Sequence, residues 1–459
     1  MAQLFPAPGR AFGRASRERR AWYNSLTLSM AHIEPFRALL YNSARVTLSE
    51  VVTQPYDKIT PEMQEGYLAA SPYNLVRIIL GKRTASDGPE DNPYIRAARW
   101  FRDWRDKGVL MDEAEPCLYR YSQRFVPPGE AREVERRGFI ALGRLEDYAA
   151  GVVYRHEQTL AKPKADRLEL LRATRAHFGQ IFMLYSDPEN QIEGALVPDQ
   201  PPIIAVRDEY DVLHQVWKIS DPTKISLTRE RLRDRKLIIA DGHHRYETAL
   251  AYQKERAQDR GTGIAPFDFA MMTFVNMDSP GLVILPTHRV VHGIASFDMS
   301  LFKDGGCEFF GIEEVDASID ARRASAILRE AGRSGTALLA VGTERVFLLN
   351  RSKAPAHVFG RLSYRQQALD VVQLHKCLLE KTLGISEEAI RNQQHVTYLR
   401  DSDEAIALVR NRKADVAFLM NPVRIDQVRD IAFASEVLPQ KSTDFYPKLL
   451  SGLTIYALE

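Results

Sequence analysis

The sequence contains little of what marks several large classes of protein. Its three cysteines, Cys117, Cys307 and Cys377, are far apart and follow no metal-ligand spacing. This argues against a disulfide framework or a cysteine zinc site and favours a reducing compartment. No apolar run in the chain approaches the roughly 18 residues that a membrane-spanning helix needs. We therefore expect a cytoplasmic protein without a membrane partner.

An excess of charge of either sign is also missing. The 459 residues include 62 basic and 60 acidic side chains, which gives a net charge of +2. Proteins that bind nucleic acids usually carry a clear surplus of lysine and arginine, so this balance gives no reason to expect a nucleic-acid partner. The partner that we expect is a small molecule, and no pattern in the sequence predicts an oligomeric state.

What the sequence does contain is an alternation of strand-like and helical patterns, which is typical of an α/β or α+β fold. With 459 residues, the chain exceeds the roughly 250–300 residues at which a single core stops growing. We therefore expect more than one lobe. The expected divisions are a flexible extension over residues 1–29, a catalytic region over residues 30–295 and a smaller α/β lobe over residues 296–459.

Local patterns add three predictions about secondary structure. The run Leu75–Leu80 is strand-like. Asp166 is placed to cap the start of a helix that extends to about His177. Residues 364–383 have the periodicity of one long helix.

The sharpest functional signal is a strand–turn–helix unit that begins with the strand-like run 236–240, which is apolar after Lys236. The residues of its turn are Asp241, Gly242, His243, His244 and Arg245. A helix N-terminus presents unpaired N–H groups and a partial positive charge, and glycine allows a ligand to approach the backbone closely. This pattern predicts a phosphate-binding site, with Asp241 as a proton acceptor or magnesium ligand. The alternative is an ordinary capped turn with solvated side chains.

Two further clusters contain groups of the right chemistry. His156 and Glu157 stand beside several cations, without the second histidine of a His-Glu-x-x-His zinc motif. Glu157 is a candidate metal ligand or general base, and the alternative is a charged, solvated loop. In the segment 441–448, a lysine and two hydroxyl residues could contact phosphate, although no P-loop glycines precede them. The turns 54–57 and 286–289 are weaker signals.

The order of these motifs resembles a known family. The segments that carry the resemblance are Pro55-Tyr56-Asp57, Pro72-Tyr73-Asn74, Tyr119–Phe125, His156-Glu157-Gln158-Thr159, Asp166-Arg167, Ile239–Ala249, Leu285–Arg289 and Lys441–Lys448. Together they resemble the bacterial and archaeal family catalogued as domain of unknown function 1015, from about Ile33 to Leu453.

That family is similar, more distantly, to the ParB/sulfiredoxin superfamily, which includes nucleotide-using free-serine kinases. The resemblance implies a nucleotide-binding core in which a strand–Gly-x-x-Arg–helix turn holds the phosphates, here Gly242 to Arg245. Sulfiredoxins have a reactive cysteine after that glycine. Because His243 stands there in this chain, sulfinic-acid reduction is not expected.

The working hypothesis is a small-molecule kinase that uses Mg²⁺ and ATP, ADP or pyrophosphate to phosphorylate a small hydroxyl metabolite. Free L-serine is the acceptor that the resemblance implies. Catalysis is assigned to Asp57, Glu157, Asp241 and His244. Phosphate or nucleotide binding is assigned to Gly242, His243, His244, Arg245, Lys441, Ser442 and Thr443. Substrate binding is assigned to Tyr56, His156, His288 and Arg289, and metal binding to Asp241 and Glu157.

Three other functions are compatible with the same residues. The first is a phosphatase or nucleotide hydrolase that uses the same phosphate site with water as the acceptor. The second is a non-catalytic nucleotide-binding regulator. The third is a metal hydrolase that uses His156, His243 and His244.

Overall fold

The computed structural model describes residues 30–157, 161–259 and 263–459, with the backbone alone for residues 161–163. The expected extension 1–29 and the residues Gln158 and Thr159 lie outside the described part. The described chain is a mixed α/β fold built on two large sheets, so the predicted fold class is confirmed. Among the described helices, none is both long enough and apolar enough to cross a lipid bilayer.

The strands are, in chain order, β1 (Ile33–Glu34), β2 (Leu39–Tyr41), β3 (Leu110–Asp112), β4 (Leu118–Phe125), β5 (Val134–Arg144), β6 (Val153–Arg155), β7 (Ala176–His177), β8 (Ile181–Tyr185), β9 (Ile204–Arg207), β10 (Leu213–Ile219), β11 (Leu237–Asp241), β12 (Phe269–Asn276), β13 (Val283–Leu285), β14 (His288–Val291), β15 (Gly311–Val315), β16 (Leu338–Val341), β17 (Val346–Asn350), β18 (Val396–Leu399), β19 (Val416–Met420), β20 (Asp444–Tyr446) and β21 (Tyr456–Ala457). The α-helices are α1 (Leu48–Val51), α2 (Pro61–Ala70), α3 (Val76–Ile79), α4 (Pro93–Asp106), α5 (Ala161–Thr174), α6 (Gln191–Ala195), α7 (Pro222–Arg233), α8 (His243–Glu255), α9 (Met299–Gly306), α10 (Ala321–Ala331), α11 (Tyr364–Gln367), α12 (Asp370–Gln373), α13 (Glu387–Arg391), α14 (Ser402–Arg410) and α15 (Ile425–Phe433).

The larger sheet has nine strands in the order β6-β11-β8-β12-β5-β4-β10-β9, with β1 paired to β5. Strand β11 is buried on both faces. Ile238 and Ala240 pack into one apolar cluster, and Leu237 and Ile239 pack into another. This follows from the alternation of side chains along a strand. It explains why β11 reads as a continuous apolar run that ends abruptly at the polar turn.

The smaller sheet has six strands in the order β15-β17-β16-β19-β14-β18, and all of its pairs are antiparallel. Its core strand β16 places Leu338 and Ala340 in one apolar cluster and Leu339 and Val341 in another. Strand β18 is an edge of this sheet. Its free edge borders the site described below.

The two sheets do not divide the chain at the predicted residue. Strand β14 already belongs to the smaller sheet, although the lobe was expected to begin at residue 296. After α15 the chain returns to the larger lobe, where β20 pairs with β13 and β21 pairs with β7. Residues 444–459 therefore belong to the larger lobe, because Phe445 and Leu450 are buried in its core, whereas Leu438 still packs in the core of the smaller sheet.

Three local predictions are wrong. The run Leu75–Leu80 contains helix α3, because its aliphatic residues meet the core at helical rather than alternating spacing. Asp166 lies inside α5 instead of capping it, and its carboxylate binds Arg167. Residues 364–383 form α11, α12 and a π-helical segment, Leu374–Thr382, in place of one continuous α-helix.

The carboxyl of Asp370, at the start of α12, makes stability dependent on pH. Burial raises its pKa to about 7, against the lowering effect of the Ala337 backbone and Thr336. The unfolded chain loses this proton near about pH 4, so stability declines as the pH rises from about 4 to about 7. We expect Asp370→Asn to be more stable than the natural protein at pH 8, by at most about 4 kcal/mol.

Urea unfolding of both proteins at pH 5 and pH 8 measures this difference. The advantage of the variant should shrink at the lower pH, because the natural carboxyl is then protonated in the folded protein. An advantage that does not change with pH would contradict the prediction.

Candidate functional site

The turn between β11 and α8 depends on glycine for two reasons. Gly242 has a φ of 89°, in the left-handed region that residues with a Cβ adopt reluctantly. A Cβ at this position would also lie 3.0 Å from Nε of Arg245, which folds back beneath the turn. Helix α8 begins at His243 with Gly242 as its N-cap. Asp241 is therefore the last residue of the strand and does not cap the helix.

A cleft of about 410 Å³ opens in front of this turn. Its lining comes from the end of β11 and the start of α8, the turn Tyr56–Lys58, the free edge of β18 and the loop 441–448. The lining residues are Tyr56, Asp57, Lys58, Glu157, Asp241, Gly242, His243, His244, Arg245, Thr287, Gln393, Val396, Thr397, Tyr398, Leu399, Arg400, Lys441, Thr443, Asp444 and Lys448. The volume is within the range of about 300–1,000 Å³ that is typical of small-ligand sites.

Asp241 is ionised and surrounded by cations. Its Oδ2 accepts a hydrogen bond from Nη2 of Arg245 at 2.9 Å, and its Oδ1 lies 3.8 Å from Nζ of Lys448. Burial opposes ionisation, but the fields of Lys448, Arg245 and Lys58 outweigh it and hold the pKa of the Asp241 carboxyl well below its ordinary value. A carboxylate of such low basicity is a poor proton acceptor. Its role in the cleft is electrostatic.

A second carboxylate, Asp444, is also held between cations. It accepts a hydrogen bond from Arg400 at 2.8 Å and lies 3.0 Å from Nζ of Lys448. Burial raises the pKa of Asp444, but Lys448, Arg400 and Lys58 lower it by more. Burial also lowers the pKa of Lys58 to about 8, helped by the charges of Lys448 and Arg400. The cleft thus holds the cations Lys58, Arg400 and Lys448 close to the carboxylates of Asp241 and Asp444.

The histidines of the site are neutral at pH 7. Burial lowers the pKa of His156 to about 4 and that of His243 well below its ordinary value. Nδ1 of His156 donates to the carbonyl of Ile239, so its Nε2 must accept from the hydroxyl of Thr443 at 2.7 Å. Burial also lowers the pKa of His244. The assignment of His243 and His244 to phosphate or nucleotide binding stays a prediction, and such binding would use neutral rings.

Glu157 has the opposite character to Asp241. Burial raises the pKa of its carboxyl, although the backbone N–H of Lys441 donates to Oε1 at 2.9 Å and lowers the pKa in part. A carboxylate whose pKa is raised is a stronger proton acceptor than an ordinary one. Among the candidates named from the sequence, Glu157 is therefore the best suited to proton transfer.

A metal held by protein side chains alone does not fit this site. Within residues 30–157, 161–259 and 263–459, no group of three or more histidine, cysteine, aspartate or glutamate side chains is arranged to hold an ion. The carboxylate of Asp241 already binds Arg245 and faces Lys448. This disfavours both a metal hydrolase with three histidine ligands and a resident magnesium centre on Asp241 and Glu157.

The sequence comparisons identify the family. The model described as protein of unknown function (DUF1015) matches residues 33–372. The chain belongs to this family. In this DUF1015 protein, the cleft residues of β18 and of the loop 441–448 lie beyond the matched segment. No curated protein matches the chain.

Several solved structures are similar to the DUF1015 chain at low identity. A conserved hypothetical protein from Pyrococcus furiosus is 12% identical, with a TM-score of 0.32 over 64% of this chain and 87% of that one. A free serine kinase in complex with AMP is 14% identical, with a TM-score of 0.33 over 67% and 88%. SbnI with a C-terminal truncation, from Staphylococcus aureus, is 9% identical, with a TM-score of 0.33 over 68% and 85%. The more distant resemblance to the ParB/sulfiredoxin superfamily stays a prediction.

Most of the residues named from the sequence meet in the cleft, but four do not line it. His156 is fully buried behind Thr443, and Ser442 is buried with its hydroxyl donating to the carbonyl of Pro439. His288 is buried and bonds Ser402 and the Met420 backbone. Arg289 is buried and donates to the carbonyl of Lys441 at 3.1 Å. These residues support the site from behind its lining. The prediction that they contact substrate or phosphate directly is therefore corrected for all four.

Other lining residues were missed. Lys58 directly follows the quoted Pro-Tyr-Asp motif, and Asp444 and Lys448 stand inside the quoted segment 441–448. Their proximity to named motifs was a usable signal. Neither Tyr398 nor Arg400 gave such a signal, because Tyr398 lies on an edge strand of the other sheet and Arg400 directly follows that strand.

Proposed function

We propose that this DUF1015 protein is a nucleotide-dependent phosphotransferase that acts on a small hydroxyl metabolite. The observation that supports this most is the convergence of a helix N-terminus with Lys58, Lys448 and Arg400 on one cleft. Such an arrangement suits a polyphosphate, because catalysis of phosphoryl transfer depends chiefly on positioning and on charge neutralisation.

In this proposal, the phosphates of the donor lie against the backbone N–H groups of residues 243–245. Lys58 and Lys448 neutralise their charge, and Asp241 keeps the cations in place before the donor binds. Neutral His244 lines the same space and orients the donor or the acceptor. The donor is ATP, ADP or pyrophosphate. Magnesium would enter with the phosphates, since Mg²⁺ usually binds through one or two carboxylates and substrate oxygens.

Glu157 is the proposed proton acceptor. Its pKa is raised by burial, and its side chain lies in the same cleft as the cations. When the acceptor hydroxyl attacks the phosphorus atom of the donor, the proton passes from the hydroxyl to Oε of Glu157. The bond to the departing phosphate of the donor breaks, and a phosphomonoester forms. Asp57, which is exposed at the cleft, is the alternative acceptor of the proton.

Phosphorus NMR tests the proposal. Purified protein with Mg²⁺ is incubated with ATP, ADP or pyrophosphate and a pool of small hydroxyl metabolites that includes L-serine. A new phosphomonoester resonance that is absent for Asp241→Ala would support the kinase and name its acceptor. Free phosphate alone would point to a phosphatase or nucleotide hydrolase. Binding without any change in the donor would point to a nucleotide-binding regulator.

The affinity for the donor should depend on the charge of Lys58. Because burial lowers its pKa to about 8, Lys58 is a cation at pH 7 and loses its charge above pH 8. We expect the affinity to fall by up to about 10-fold for each pH unit above that value. Calorimetric titration with a non-hydrolysable ATP analogue from pH 7 to pH 9.5 measures it.

The matched control is Lys58→Arg, which keeps a cation at every pH of that range. Its affinity should not decline above pH 8. Parallel declines in the two proteins would show that the ligand or another group titrates, and would contradict the assignment to Lys58.

A further inference from the structure

We propose that Arg136 and Gln123 are positioning residues of this site, which fix the main chain of residues 446–448 and thereby hold the ammonium of Lys448 in the cleft. Neither residue is among those that line the cleft. They stand directly opposite each other on the adjacent strands β5 and β4. The inference rests on the proposed function for its effect on phosphate, whereas the contacts themselves need no ligand.

The pair binds three consecutive carbonyl groups. Nη1 of Arg136 donates to the carbonyl of Tyr446 at 3.1 Å, and Nη2 donates to that of Pro447. Nε2 of Gln123 donates to the carbonyl of Lys448 at 2.9 Å. Oε1 of Gln123 accepts from Nε of Arg136 at 3.0 Å, which fixes the orientation of the amide. A single cross-strand pair thus determines the path of the backbone that carries Lys448.

The burial of Arg136 argues for a specific role. Its side chain is 1% exposed, and its guanidinium lies over the ring of Phe182 at 4.7 Å. The acceptors described around it are neutral, so burial lowers its pKa to about 10. Burying a cation costs several kcal/mol, and an apolar side chain of similar size would often be more stable. An apolar side chain could not supply the planar set of guanidinium N–H donors that matches neighbouring carbonyls.

The orientation of Gln123 is supported by a buried chain of polar groups. His214 lies 3.5 Å from Nε2 of Gln123 and binds the hydroxyl of Tyr121 at 2.6 Å. Its other nitrogen lies 3.1 Å from Asp208, which also accepts from Gln54 at 3.1 Å. Gln54 stands just before the turn that contains Lys58. The segment that leads to Lys58 and the backbone of Lys448 are therefore hydrogen-bonded to the same buried network.

A fixed backbone at residues 446–448 matters because the ammonium of Lys448 lies close to two carboxylates at once. Its Nζ lies 3.0 Å from Asp444 and 3.8 Å from Asp241. A long, flexible lysine reaches both only if its Cα is held, since a free side chain loses rotamer entropy on ordering. The network thus positions the cation before phosphate arrives.

The test uses Gln123→Glu in the full-length protein. The variant keeps an acceptor for Arg136 and adds an ion pair, but it removes the donor to the carbonyl of Lys448 and places a carboxylate oxygen against it. We expect pyrophosphate, measured by calorimetry, to bind about 10-fold more weakly, while the melting temperature stays equal or rises. Unchanged affinity would overturn the proposal.

A double-mutant cycle separates positioning from general stability. If the pair acts through Lys448, Gln123→Glu should cost less than about 2-fold in affinity once Lys448→Met is present. If the affinity losses of the two single variants multiply in the double variant, the pair does not act through Lys448. Arg136→Lys is the second variant. It keeps the charge but lacks the fork, and it should resemble Gln123→Glu in affinity.

A failure of the proposed function would look different. If the natural protein does not bind pyrophosphate, the phosphate site is wrong and amide hydrogen exchange decides the positioning role. Gln123→Glu should then speed exchange in the segment 448–451 and leave β8 and β12 protected as before. Unchanged exchange in that segment would overturn the inference.

Discussion

Replacing Glu157 with glutamine is expected to lower kcat by about 10²- to 10⁴-fold, the usual contribution of a general base. The KM for the donor should change little, because glutamine keeps an oxygen that accepts from the backbone of Lys441. The melting temperature should stay equal or rise, since burial raises the pKa of this carboxyl and makes its ionised form costly. Steady-state kinetics with the acceptor found by phosphorus NMR measures the effect.

Glu146→Gln is the matched control for this variant. Burial also raises the pKa of Glu146, but this residue lies outside the cleft. Its replacement should leave kcat unchanged. Natural kcat in Glu157→Gln would remove Glu157 from the mechanism and leave Asp57 as the candidate base.

The second large effect is expected from Lys448→Met. The variant removes the cation that Asp241 and Asp444 share, so donor phosphates would meet two carboxylates that are bound by Arg245 and Arg400 but have lost Lys448. We expect the affinity for the donor to fall by about 100-fold, which corresponds to about 2.7 kcal/mol. Stability should also fall, by at most about 3–5 kcal/mol, the cost of removing one partner of an isolated buried ion pair, because Arg245 and Arg400 still bind the two carboxylates.

The control is Lys107→Met, which removes an exposed lysine that lies 2.8 Å from Asp103. Exposed pairs of this kind contribute about 0–1 kcal/mol, and this one is remote from the cleft. Calorimetry and urea unfolding of both variants separate the two losses. A Lys448→Met protein that binds the donor normally would place the phosphates elsewhere in the cleft.

The core of the site could be predicted from the sequence because its signals are local. A buried strand, a glycine and a helical pattern follow one another between residues 237 and 255. Each of them depends only on neighbouring residues. The wrong prediction of a strand over residues 75–80 had a different cause. The aliphatic run Leu75–Leu80 is short, and its length does not distinguish a strand from a buried helical turn.

The protonation states could not be predicted in the same way. His243 and His244 were assigned to phosphate binding from the sequence, but their residue type did not show that burial lowers the pKa of both rings. Asp241 looked like a base, but Arg245 from the same turn and Lys448 and Lys58 from distant segments suppress its basicity. A pKa depends on burial and on nearby charges, and both are properties of the folded chain.

The sequence by itself determined the alternation of strands and helices and the strand–glycine–helix turn, because apolar periodicity and glycine act over a few residues. Only the tertiary structure decided which charges face the cleft and which segments complete its lining. The last residues of the chain return to the larger lobe and bring Lys448 beside Asp241. The bend that follows the edge strand of the other sheet adds Arg400. Contacts of this kind form when segments that are remote in the chain pack together, and no local sequence pattern predicts them.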